Sequence, residues 1–364
     1  MATVHRWTGL EARALRSALR LSVRAFAERL GVGVRTVSKW EKLLTNTEPR
    51  PDTQAILDTA LARADPAAHL RFEAVLSESG RPARLGRVAT GGPPAWEYET
   101  WTDDLDRVAI ALSHQNFTIA ESLLNCWLSR YPTRDLDEKG LYLVARSTTL
   151  LGDLRRDQGA VYGPLSAQRS YAGARAVYAQ LDIPRRVAQL DLSLAVVTEM
   201  SGLLDQAARR YESLTVDDRL SARDRARSRL WVGTALSKNG NHDYAARVML
   251  TATQEFEELT EPEDWSVAHQ KLALAHRGAG DLKQALHCID IARSMSINDS
   301  PMQRVRLDTA YGHILLSDRS TRDDGLLVLA QAAKLAARTG LSHQVRSIES
   351  IRMTTERATG PGRR

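Results

Sequence analysis

Two cysteines, Cys126 and Cys288, are all that 364 residues contain. They lie far apart, each within a helical apolar pattern, which excludes a disulfide framework and a cysteine-based zinc site and predicts two buried, reduced thiols. Long apolar runs are missing too. Nowhere do about 18 uncharged apolar residues follow one another, and the opening MATVHRWTGLEARALR holds no apolar core. Neither a membrane span nor a secretory leader is expected, and the chain is expected to be cytoplasmic. The signature loops of enzymes are also absent: there is no Gly-x4-Gly-Lys-Ser/Thr, His-Glu-x2-His or Gly-x-Ser-x-Gly sequence. The nine histidines are scattered, and His269 and His276, seven apart on one predicted helix, read as repeat surface. No catalytic residue, cofactor or metal is expected.

What is present is charge gathered at one end. Residues 1–45 carry nine Lys/Arg against three Glu, and residues 79–96 add three Arg and no acid, within a whole-chain net charge of +6. The long C-terminal part is therefore nearly neutral, and a polyanion partner is expected for the basic end alone.

That end has helical punctuation. Thr8-Gly-Leu-Glu11 is a capping box opening a helix whose apolar face is Leu10, Ala14, Leu15, Ala18 and Leu19. Ser22 caps a second helix burying Val23, Phe26, Ala27 and Leu30, and Gly31 ends it. A third helix, from Val34 to about Leu43, is too short to stand alone. Val37, Trp40 and Leu44 share one face of it, while Arg35, Ser38, Lys39 and Lys42 occupy the other. An apolar back with a basic, hydrogen-bonding front suits the major groove of DNA. A fourth helix is expected to pack Ala55, Ile56, Ala60 and Leu61, and a fifth, after Pro66, to pack Leu70, Phe72, Val75 and Leu76.

LSVRAFAERLGVGVRTVSKWE, residues 21–41, resembles the helix-turn-helix of the Cro/repressor (Xre) family in its Leu-Ser start, Ala-Glu-Arg-Leu-Gly turn and Val-Ser-x-Trp-Glu end. The resemblance covers residues 8–78. It implies a sequence-specific transcription regulator acting on a double-stranded DNA operator, with Val34, Arg35 and Lys39 facing bases and Thr36 facing a phosphate. It also implies a salt bridge between Arg16 and Glu41. The sequence departs at Gly33, where members commonly have a Ser or Thr cap, and at Val34, which replaces an amide side chain and suits the methyl group of thymine.

Residues 79–96, rich in Gly, Pro and Arg, read as a flexible linker between a DNA-binding domain at 1–78 and a second domain at 97–355, with a disordered basic tail at 356–364. The second domain is repetitive. SGLLDQAARRY, NGNHDYAARVM and AGDLKQALHCI align on Gly202, Gly240 and Gly280, spaced 38 and 40 residues apart, with Ala207, Ala245 and Ala285 five residues after each. HQNFTIAESLL with Ala120 is an earlier copy and DRSTRDDGLLVL a degraded later one, while residues 150–180 fit loosely around an insertion. The pattern resembles a lengthened tetratricopeptide repeat, in which a small residue on the second helix lets the pair approach. The expected fold is all-α: a five-helix helix-turn-helix domain followed by an α-solenoid of five or six helix pairs.

Counting back from the glycines places Gln189, Glu199, Arg227, Thr234, Lys238, Gln270, Arg277 and Tyr311 on the concave face, as a groove for an extended peptide or another small effector. A solvated face needing no ligand is the alternative. The domain order resembles the quorum-sensing regulators of the RRNPP group and related actinobacterial regulators. That resemblance implies a homodimer formed through the repeats, and the apolar segment from Leu326 to Leu341 is the expected contact. Two rival readings are a regulator whose repeats bind a protein partner and a pure protein-interaction scaffold.

Overall fold

The computed structural model describes residues 4, 6–78, 93–294 and 300–359. Among them are eighteen α-helices, two single turns of 3-10 helix and no strand. None of these helices is long and apolar enough to cross a membrane. The chain packs as two units, Met1–Leu154 and Arg155–Arg364. This division does not follow composition. Most of the expected linker, 79–92, and the end of the expected tail, 360–364, lie outside the described residues. Ala95 and Trp96 already belong to a helix, and the last helix continues to Thr359.

The first unit opens with α1 (Gly9–Ala18), α2 (Val23–Leu30) and α3 (Val34–Leu43). Each boundary has a local cause. Thr8 accepts from the Leu10 amide at 3.2 Å while the Glu11 carboxylate accepts from the Thr8 amide at 2.8 Å, completing the capping box. Ser22 accepts from the Ala25 amide at 3.1 Å, and Gly31 closes α2 in the left-handed region at φ 66°. Gly33 stands at the N-cap of α3 and gives no side-chain hydrogen bond. Helices α4 (Pro51–Ala62) and α5 (Pro66–Glu78) follow, and Trp7, Leu15, Phe26, Val37, Trp40, Leu57 and Phe72 form the core of all five. Two expectations fail here. Ile56 and Leu70 are exposed, and Leu57 and Ala68 hold the inward positions instead. Ala55, Ala60, Leu61 and Phe72 are buried as expected and Val75 and Leu76 pack against the core, so the misses are confined to single positions where neighbouring alanines leave both faces similar in hydropathy.

The unit continues with α6 (Ala95–Ser113), α7 (Phe117–Arg130) and α8 (Glu138–Asp157), whose last residues pass into the second unit. Helices α4 and α6 pack together, as do α6 and α7. Trp101 and Trp127 stack at 5.0 Å between ring centres, and the Trp101 indole donates to Ser147 at 2.9 Å.

The second unit holds α9 (Ala167–Gln180), α10 (Pro184–Met200), α11 (Leu204–Leu214), α12 (Ala222–Lys238), α13 (His242–Glu258), α14 (Pro262–Gly278), α15 (Leu282–Ser294), α16 (Pro301–Leu315), α17 (Arg322–Arg338) and α18 (Ser342–Thr359). Consecutive helices pair in hairpins, and α10, α12, α14, α16 and α18 also touch one after another. This places the first helix of each pair on the inner row of a tetratricopeptide-like solenoid. Gly202, Gly240 and Gly280 turn the hairpins at φ 82°, 90° and 85°. The fourth residue of the second helix is fully buried wherever the motif was recognised: Ala120, Ala207, Ala245 and Ala285. The degraded copy keeps the position as Gly325, where an added Cβ would lie 2.9 Å from the Gly312 carbonyl oxygen on α16. An alanine here would press on the backbone of α16 and on Leu315.

Candidate functional site

In the first unit the candidate surface is α3. Val37 and Trp40 are buried, while Val34, Arg35, Thr36, Ser38, Lys39 and Lys42 all stand exposed. Nearly half of the Val34 surface is open to solvent, at 46%. Two contacts hold the back of the helix. Gly9 lets α1 come so close that a Cβ there would overlap the Trp40 carbonyl. Arg16 on α1 grips Glu41 on α3, with its Nε on one carboxylate oxygen and Nη2 on the other at 3.3 Å, and donates from Nη1 to the Leu21 carbonyl at 2.7 Å. The two side chains are about equally covered, 20% and 19% exposed.

Sequence reasoning missed the other charged pair of this unit. Arg107 on α6 reaches Asp58 on α4 at 3.1 Å, with 1% and 3% of the side chains exposed. The guanidinium also donates to Asp104 at 2.7 Å and to the Val4 carbonyl at 3.2 Å, while the Trp7 indole donates to Asp58 at 2.6 Å. Burial raises the Asp58 carboxyl above its ordinary range, against the pull of Arg107. Two acids and one arginine, 46 to 49 positions apart or three apart on one helix, leave no periodic trace in the sequence.

In the second unit the expected groove residues divide. Lys238 on α12 donates to Glu199 on α10 at 2.7 Å, and Tyr211 donates to the other Glu199 oxygen at 2.7 Å. Burial beside that carboxylate pushes the Tyr211 phenol far up. Gln189 donates to Asp224 at 3.1 Å, and Arg227 to Asp264 at 2.9 Å, so both stitch neighbouring inner helices. Arg277 donates to the His313 carbonyl at 2.9 Å. Three expectations are corrected. Thr234 is buried and donates to the Leu230 carbonyl of its own helix, and Gln270 is buried and donates to the Arg306 carbonyl of α16. Tyr311 lies under the Arg293 guanidinium of α15 at 4.2 Å, toward the outer row.

The residues that do converge were mostly overlooked. Lys271 on α14 feels Arg306 on α16, Lys238 and Glu199, and His343 on α18 feels Lys238, Arg346, Arg306 and Glu199. Burial foremost, then these cations, brings the Lys271 ammonium down to about 7 and lowers His343 as well. Arg306 is lowered by burial too. The closing helix α18 comes back to the start of the unit, where Arg346 donates to the Gly159 carbonyl at 3.4 Å. In the segment Leu326–Leu341, Leu329, Ala332, Ala336 and Leu341 are buried, while Leu327, Ala330, Gln331, Lys334, Ala337 and Arg338 are exposed. Helix α18 covers α17, so the array does not end on that segment.

No family model matches the sequence, and no curated protein does. Solved structures do match. One is a Rap protein complexed with competence and sporulation factor, at TM-score 0.50 and 15% identity, covering 96% of this chain and 98% of the other. Another is the Rap conjugation gene regulator of plasmid pLS20 in complex with the Phr* peptide, at TM-score 0.53 and 13% identity, covering 98% of both. The chain has the Rap fold. At such identities the likeness carries the all-helical tetratricopeptide-like architecture and no residue roles.

Proposed function

We propose that the chain is a sequence-specific DNA-binding transcription regulator whose repeat unit dimerises and senses a peptide or other small signal. The observation that carries the first half is the outer face of α3, where six side chains suited to bases and phosphates stand free on a helix braced by Arg16 and Glu41. The fold it shares with a peptide-bound Rap structure supports the second half. The same likeness favours a rival in which the repeats bind a protein partner, or in which the chain is an interaction scaffold alone.

A gel shift on the DNA upstream of its own gene separates these readings. The regulator retards that DNA over a scrambled duplex, and Arg35→Ala with Lys39→Ala abolishes the difference. Equal retardation of both duplexes by the unaltered chain leaves the scaffold reading standing.

A further inference from the structure

The chain reverses at once after α3. Leu44 caps that helix at φ 47° and ψ −117°, a region that favours glycine, and a leucine keeps such a conformation only where its surroundings impose it. The surroundings come from the start of the chain. The Gly9 amide donates to the Thr47 carbonyl at 3.1 Å, and a Cβ on Gly9 would lie 2.9 Å from the Leu44 carbonyl oxygen. The Trp7 amide donates to the side-chain oxygen of Gln54 at 3.3 Å, and the Gln54 side-chain amide donates to the Pro49 carbonyl at 2.9 Å. The connection between α3 and α4 is thus tied at two points, by Gly9 directly and by Trp7 through Gln54.

The same short segment is anchored on α6. Arg107 donates to the Val4 carbonyl at 3.2 Å, and its ion-pair partner Asp58 accepts from the Trp7 indole at 2.6 Å. Val4, Trp7, Gln54, Asp58 and Arg107 are all buried, so a bond lost here leaves a polar group that water does not replace. A continuous line of hydrogen bonds therefore runs from α6 through Trp7 and Gln54 to the exit of α3. The ten residues of α3 are too few to hold their own position, and Arg35, Ser38, Lys39 and Lys42 on its outer face are exposed. Its placement is decided from behind.

We infer that Trp7, Gln54 and Arg107 are positioning residues for the DNA-reading face, through which the placement of α3 depends on α6. This rests on the reading that α3 enters DNA. It adds that the DNA-binding head is not an independent module of residues 1–78, because α6 supplies the partner of Asp58 and the anchor of Val4.

Two variants of the full chain cut the line at different points. Gln54→Met keeps the length of the side chain and removes both of its bonds, while Arg107→Met with Asp58→Leu removes the α6 anchor without leaving a buried charge. Leu123→Ala on α7, whose side chain is buried, is the control that weakens the same unit away from the segment. Amide hydrogen exchange of peptides spanning residues 34–47 reports α3 without DNA, and competition binding to the duplex upstream of its own gene reports its use. Both line-cutting variants are expected to speed that exchange and weaken cognate binding at least about fivefold, and Leu123→Ala to do neither. Combined, the two variants add little to the larger single effect, because they interrupt one path. Unchanged exchange across 34–47, equal acceleration by Leu123→Ala, fully additive effects, or faster exchange with undiminished cognate binding overturns the inference. If the unaltered chain binds no DNA, the regulator reading falls and the exchange alone decides whether α6 positions α3.

Discussion

Arg107 and Asp58 form a buried ion pair that joins the bundle of α1–α5 to the first hairpin beyond it. Their closest approach is 3.1 Å, with both side chains almost wholly covered. The pair is the centre of a network that also includes Trp7, Asp104 and the Val4 carbonyl. Removing one member leaves the other buried and uncompensated. Arg107→Ala is expected to destabilise the first unit by roughly 3–5 kcal/mol, whereas Arg107→Met with Asp58→Leu recovers most of that loss. Urea unfolding of the full chain followed by tryptophan fluorescence measures both.

The Arg16–Glu41 pair is a milder case, since about a fifth of each side chain stays accessible. Glu41→Ala is expected to cost about 1–2 kcal/mol, more than an exposed pair and less than the buried one. The same fluorescence transition reports it. A value matching Arg107→Ala would mean that the pair is far better shielded than its exposure indicates.

Arg35 and Thr36 are neighbours on α3 with different expected duties. Arg35→Ala should lose about 1–3 kcal/mol on the cognate operator and relax the preference at one base pair, because a long cation reads a base edge. Thr36→Ala should weaken every sequence alike. Competition binding against a panel of single-base variants distinguishes the two patterns, and a uniform loss for Arg35→Ala assigns it to a phosphate.

Gly325 tests the packing of the last hairpin. Alanine fills the equivalent place in α7, α11, α13 and α15, yet here a Cβ would press on the Gly312 carbonyl. Gly325→Ala should therefore destabilise by roughly 1–3 kcal/mol despite the gain in helix propensity. A melting temperature that rises on this replacement would show that α16 and α17 separate freely.

Acid should weaken the repeats. Burial, and after it Arg277, lowers His313 to about 3, and His269 and His343 are lowered by burial as well. The unfolded chain then binds more protons than the folded one between the ordinary histidine pKa of about 6.5 and the folded value. Stability from this source is complete above that range and falls with pH. From pH 7 to pH 5 His313 alone accounts for about 2 kcal/mol. His313→Gln is expected to flatten the dependence by that amount in thermal melts taken across the interval.

Much of this architecture was readable beforehand because it is periodic. Gly202, Gly240 and Gly280 recur 38 and 40 residues apart, so their turns and the buried alanines five residues after each could be counted along the chain. The face of α3 was readable because Val37 and Trp40 stand one turn apart. Ile56 and Leu70 were misplaced where alanine-rich helices present two similar faces, and the copy around Gly325 read as degraded because a glycine stands where the others have an alanine. The cluster at Lys271 and Arg306 was invisible for another reason. It depends on curvature, which brings α10 and α18 to within reach of the same charges although 143 positions separate Glu199 from Ser342. Thr234 and Gln270 share the register of Arg227 and Lys238 yet are buried, a distinction that spacing along the chain does not make.

Arg346 and His343 lie against the backbone at Gly159, where an added Cβ would displace the Arg346 guanidinium and press on His343. Most repeat arrays are open at both ends. They fray from the terminal units inward and can gain or lose a unit during evolution without penalty to the rest. Here the last helix meets the loop before α9 through Arg346 and the Gly159 carbonyl, so the end of the array has a contact within its own unit. The array should melt in one step and not from its ends, and its length should be as invariant among homologues as the residues at the joint.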